Sequence, residues 1–216
     1  KYNIPAGSSY TRTEMIKKIL SFQLPDDGFN LRFAQGSTAD PDITAMAIQA
    51  LAPYYRNSTF NVKGPVDKAL DCLSKLQLDT GDFRSWGTRN SESVSQIIVS
   101  LCSIGVDPQN DSRFIKNGIN LLDALFYYQQ EDGGFAHSYE SDPGNPSAIP
   151  GESNSIATDQ ALLALVAVWR QAQGMSILYD FRPGSVSAKI LTPEESEVSF
   201  AGSYEFTEAD QQQADA

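Results

Sequence analysis

Histidine, cysteine and long apolar runs are scarce in this 216-residue chain, and each shortage removes a class of function. His137 is the only histidine, and Cys72 and Cys102 stand far from it and from each other. A zinc site with three protein ligands and an open position needs clustered donors, so neither a metal nor another cofactor is expected. The same isolation predicts two buried free thiols, with pairing left open if their helices are antiparallel neighbours. No window approaches the roughly 18 consecutive apolar residues of a membrane span, so membrane insertion is not expected. The start at Lys1 lacks the progression of a signal peptide, although a mature or trimmed chain would have lost its leader. Basic residues are short too: 16 Lys and Arg stand against 27 Asp and Glu, giving a net charge of −11 and a pI near 4.4. Phosphate backbones should be repelled by such a surface, so no nucleic-acid partner is expected.

What is present is a repeat. "QLPDDGF" from Gln23, "QLDTGDF" from Gln77 and "QQEDGGF" from Gln129 each place a Phe six positions after the Gln, and Phe29, Phe83 and Phe135 follow one another at about fifty residues. Such a period marks a stacked architecture. Before each Phe lies an amphipathic run, from Met15, Val66 and Ile115, with apolar positions recurring at three and four as on a helix face. After each comes a loop and a second run, "ITAMAIQALAPYY", "SVSQIIVSLCSIG" or "IATDQALLALVAVW", nearly apolar all round and therefore expected to be buried on most sides.

Aligning Leu51, Leu101 and Leu165 brings the neighbouring small residues into register. The chain thus reads as all-α, six helices forming three hairpins in two layers, the second helices inside and the first outside. In each corner the Gln amide (Gln23, Gln77, Gln129) is expected to satisfy an orphan carbonyl at the end of its own helix and to accept from the next segment. The Gly (Gly28, Gly81, Gly133) is expected to permit the reversal, and the Phe to sink between the layers. This domain covers residues 1–183. From 184 to 216 the character changes: seven acids face one base, and "SVSAKIL" and "EVSFAGSYEF" alternate as short strands or extended tail before a polar end.

The pattern of Gln, three residues, Gly, one residue and an aromatic resembles the repeat of squalene cyclases and protein prenyltransferase β subunits, with Phe here in place of Trp. "QLPDDGF" matches it with the Gly one place late. The resemblance covers about residues 10 to 182 and implies the α/α toroid that those enzymes share with complement thioester domains and cobalamin carriers. "TADPDITAMAIQALAPYY" and "GMSILYDF" look like prenyltransferase-like domains of exported bacterial proteins related to cobalamin carriers, which implies a secreted or cell-surface binding role. Complete toroids of this kind carry about twelve helices against six here, so a second copy, an N-terminal half or the tail is expected to cover the inner faces left bare.

"DPDITA" at Asp40 to Ala45 resembles the acidic motif of class II terpene cyclases, in which the middle Asp protonates an alkene or epoxide. The match makes Asp42 the acid and puts Ile43 where a further Asp should stand. The alternative is that Asp40 or Asp42 caps the first buried helix. His137 and Tyr139 lie in the longest connection, and the resemblance to toroidal polysaccharide lyases would make them proton-transfer groups. A lone loop histidine is otherwise expected to be solvated. The zinc ligands of prenyltransferases and the thioester signature are both absent. For ligand binding the candidates are Trp86 and Arg84 in "RSWGTR", Gln96, His137, Tyr139, Asp159 and Gln160. An exposed Trp86 would stack on a ring or a partner side chain.

Two functions follow. The first is a non-enzymatic binding domain of an exported bacterial protein, for a corrinoid, another small molecule, a glycan or a protein. The second is a cyclase-like enzyme on Asp42 or a lyase-like one on His137 and Tyr139.

Overall fold

A computed structural model describes residues 5, 7–8, 10–32 and 36–180. Strands expected beyond residue 184 lie outside the described residues. Six α-helices appear among those described: α1 Arg12–Leu20, α2 Pro41–Leu51, α3 Lys63–Leu76, α4 Ser91–Ile104, α5 Leu121–Phe126 and α6 Ser155–Ala172. A two-stranded hairpin, β1 Arg84–Ser85 with β2 Thr88–Arg89, links α3 to α4. The chain is a partial α/α toroid of three hairpins, with α2, α4 and α6 inside.

The central inner helix shows why the second runs are so apolar. α4 packs against both α2 and α6, and only Glu92 and Gln96 along it escape full burial. The outer helices add a connection between units: α3 packs on α2 and α5 on α4, so each outer helix covers the inner helix of the preceding unit. Among the described residues no outer helix follows α6, and its Ile156 and Leu162 are exposed accordingly.

All three corners fold alike. The residue after each Gln donates its N–H to a carbonyl four places on (Leu24 to Gly28, Leu78 to Asp82, Gln130 to Gly134), and its own carbonyl accepts from the residue three places on. That tight turn places one residue in the left-handed region: Asp27, Gly81 or Gly133. The first corner is therefore in strict register rather than shifted. Asp27 takes the position that Gly fills elsewhere, and Gly28 has another duty. A Cβ on Gly28 would stand 2.3 Å from Ala39 Cβ and 2.9 Å from Cys72 Sγ, so close approach of the layers demands glycine. Phe29, Phe83 and Phe135 are all buried, as expected of rings that set the hairpin angle.

The Gln amides act differently from expectation. Gln23 Nε2 donates to Asp27 O within its turn and to Pro65 O at the start of α3, and Gln77 Nε2 donates to Gly81 O and Phe114 O. Each thus ties its corner to the next outer segment rather than capping its own helix. Gln129 makes no such bond among the described residues, and no further outer segment follows it there.

Two local features depart from the reading by periodicity. The run from Ile115 is not one helix, because Asn117 and Gly118 both adopt positive φ and close a small hairpin through Lys116 and Ile119. "RSWGTR" is likewise a hairpin: Trp86 and Gly87 both have positive φ, which matches the twist of the flanking strands. Cys72 and Cys102 are free and buried, with their thiols pushed up to about 11 and about 12, chiefly by burial.

Candidate functional site at the mouth of the inner layer

The inner helices start side by side, and their caps repeat. Asp40 Oδ1 accepts from Ile43 N, Asn90 from Ser93 N, and Asn154 from Ile156 N and Ala157 N. Asp40 is therefore a cap in a series, its second oxygen accepting from the Ser85 hydroxyl at 2.7 Å. In the same register Asp42 corresponds to Glu92 and Ile156. An acid in the first turn complements the helix dipole, so this row gathers carboxylates at the mouth without any catalytic demand.

Asp42 is not a cap. Its Oδ1 is buried without a hydrogen-bond partner, and the fully buried Ser93 hydroxyl near it also lacks one of good geometry. Burial raises the Asp42 pKa to about 6, and the charges of Asp40 and Glu92 add to that; Ser93 and Ser85 offset part of it. The Ile43 side chain beside it is half-buried and packs on the core, where a further acid would have stood.

His137 departs from the solvated histidine expected of a loop. It is 8% exposed, with Nδ1 2.8 Å from Glu92 Oε1 and Nε2 3.0 Å from Asp142 Oδ2. Burial alone would lower its pKa, but the two carboxylates outweigh this and hold it above the ordinary histidine value. The ion triplet pins the 136–154 connection to α4, helped by Ser91, which donates through its N–H to His137 O and through its hydroxyl to Ala136 O. Tyr139 points elsewhere. Its ring stacks on Tyr128 at 5.8 Å, and its hydroxyl donates to Tyr127 O and accepts from Gln130 Nε2. The structure brings His137 toward Asp42 through Glu92, and does not bring Tyr139 to either.

The ligand-binding candidates separate in the same way. Trp86 is 61% exposed at the hairpin tip, with the Arg32 guanidinium 5.3 Å from its ring centroid. A cleft of about 210 Å³ lies beside it, reached by Asn30, Thr38 and Arg84. Arg84 forks onto the Glu140 carboxylate and Gly87 O. Gln96 sits in a ladder across the inner layer: Gln49 Nε2 donates to Gln96 Oε1 and Gln96 Nε2 to Gln160 Oε1, both at 2.9 Å. Asp159 is exposed and caps nothing, since Asn154 performs that task.

The repeat of buried phenyl corner and inner helix now has a counterpart among known proteins. The squalene-hopene cyclase C-terminal domain model matches residues 23–177, which takes in all three corners. The chain belongs to the squalene-hopene cyclase C-terminal domain family. A comparison with curated proteins finds no match.

Within this cyclase-family domain, sequence reasoning missed Glu92 and Asp142 as partners of His137. Glu92 was within reach, because the offset of 50 that aligns Leu51 with Leu101 also aligns Asp42 with Glu92. It also missed a buried network of Asp82, whose carboxylate accepts from Arg89, the Tyr128 hydroxyl and Thr80. No spacing signals that network, since its members come from a turn, a hairpin and the end of α5.

Proposed function

We propose that this domain is a non-enzymatic binding module on the cyclase-family scaffold, carried by an exported bacterial protein. The observation that supports this best is the state of Asp42. Protonating an alkene needs an acid strengthened by hydrogen bonds and a nearby cation, whereas burial and two neighbouring carboxylates make this one weaker. The mouth's one histidine is bonded to Glu92 and Asp142 instead. Carbocation steering also requires ring faces, and α2, α4 and α6 together contain one aromatic residue, Trp169. The ligand class this supports is a ring compound or glycan stacking on the exposed Trp86, beside the cleft bordered by Asn30 and Arg84.

The test is a glycan panel and cobalamin screened by thermal shift, followed by Trp86→Ala. A ligand that raises the melting temperature of the wild type and not of the variant supports the module. The whole reading frame of the parent protein should carry a leader peptide; a frame without one removes the export claim.

The enzymatic alternative keeps one favouring observation: a buried carboxyl with pKa near 6 is protonated in mild acid. Turnover of squalene or a polyprenyl substrate that vanishes in Asp42→Asn would establish that alternative and displace the binding reading.

A further inference from the structure

At the other end of the inner layer, the C-terminal parts of α2, α4 and α6 border a cavity of about 570 Å³. That volume is within the range that holds a small organic ligand. The wall is mixed, and its apolar part comes from Ala52, Ile104 and Ala167, which are buried there, and from Met175 and Leu178, which close it from the segment after α6.

The polar side chains that reach the cavity are already engaged. Tyr55 donates to Asp67, the Ser103 hydroxyl to Val99 O, the Gln171 amide to Val106 O, and Ser176 accepts from Arg170. Cys102, its thiol pushed up to about 12, stays neutral. Asp180 at the rim has a partner of its own.

Arg56 is the exception. Its side chain is exposed, and the guanidinium makes no hydrogen bond or ion pair among the described residues. It reaches over the end of α4, where a Cβ on Gly105 would stand 2.9 Å from Nη2. A cation there complements the helix dipole. The nearby Asp107 is occupied by Gln109 N and the Asn110 amide, and does not pair with it. In a chain of net charge −11, an unpaired guanidinium over a hollow walled in part by apolar side chains favours an anion with an apolar portion.

We propose that this cavity binds a small organic anion, a carboxylate on an apolar body, with Arg56 forking onto the carboxylate and the wall taking the hydrocarbon. This site is independent of the ligand at the mouth, which lies at the opposite ends of the same helices.

Isothermal titration with decanoate tests it, with decanol as the neutral control of equal chain length. The wild-type protein should bind decanoate saturably at one site per chain, and decanol at least tenfold more weakly. Arg56→Ala should weaken decanoate at least tenfold, and Arg56→Lys should retain part of the affinity. Met175→Trp, which fills the hollow from its rim, should weaken binding with the melting temperature kept. Any of three results overturns the proposal: no saturable binding to folded wild type, equal affinity for decanol or for Arg56→Ala, or an unchanged affinity in a folded Met175→Trp protein.

Discussion

At the scale of single residues, Asp42 and His137 have raised pKa values and Asp82 a lowered one. Asp42 has its pKa raised from 3.8 to about 6, so the folded state holds that proton more tightly than the unfolded chain. Its contribution is fully present below pH 3.8 and lost as pH rises toward 6. Asn carries no charge to bury, so Asp42→Asn should stabilise the domain at neutral pH by about 2 kcal/mol. Denaturant unfolding at pH 7 and at pH 4 checks this, with the gain confined to the higher value. His137 is also raised, so its ion triplet stabilises at low pH and the contribution is lost above the ordinary histidine pKa. His137→Gln should therefore cost about 1–2 kcal/mol in mild acid and much less in alkali. Amide exchange in the 136–154 connection should report the same loss locally. Asp82 runs the other way: burial would raise it, but Arg89, Thr80 and Tyr128 hold it below the ordinary value. Its contribution is present above the ordinary aspartate pKa and lost as pH falls through the lowered one. Asp82→Ala leaves the Arg89 and Tyr128 donors without their acceptor and should cost about 3 kcal/mol, read as a lowered denaturation midpoint with unchanged slope.

At the scale of elements, the corner is the unit of construction. Asp27, Gly81 and Gly133 occupy equivalent left-handed positions, yet only the first carries a side chain. Relief of that backbone strain predicts that Asp27→Gly is neutral or stabilising by up to about 1 kcal/mol, the exposed pair with Lys68 contributing little. Gly28→Ala should instead destabilise by more than about 2 kcal/mol, because the new methyl meets the Ala39 methyl, Cys72 Sγ and Thr44 Oγ1 at 3.0 Å or closer. Comparing the two melting temperatures distinguishes a turn glycine from a packing glycine. The Thr44 hydroxyl adds a clamp, accepting from Phe29 N at 2.9 Å, and Thr158 does the same for Phe135 N. Val94 holds the corresponding place in the middle unit, where it is fully buried.

At the scale of the whole molecule, three hairpins share one inner layer, and the last helix among the described residues, α6, exposes apolar Ile156 and Leu162. Apolar surface of this kind predicts self-association, opposed by the net charge of −11. Sedimentation velocity should show self-association that grows with salt and is abolished by Leu162→Glu; a salt-independent monomer would refute this. The architecture was legible in the residues because stacked repeats depend on short-range patterns: helix faces at three and four, and a corner of fixed length closed by a buried Phe. The Asp42, Glu92 row was legible through the same register, whereas the register of Gly28, the hairpin under Trp86 and the reach of Gln23 to Pro65 were not. Local periodicity thus determined the inner helices, their pairing and the scaffold. The Asp40 cap, three residues from Ile43 N, is local and was among the sequence alternatives; tertiary packing decided that Asp42 is left protonatable and that His137 lies between two carboxylates. Burial and charge at those positions arise from residues distant in the chain, which short-range patterns do not encode.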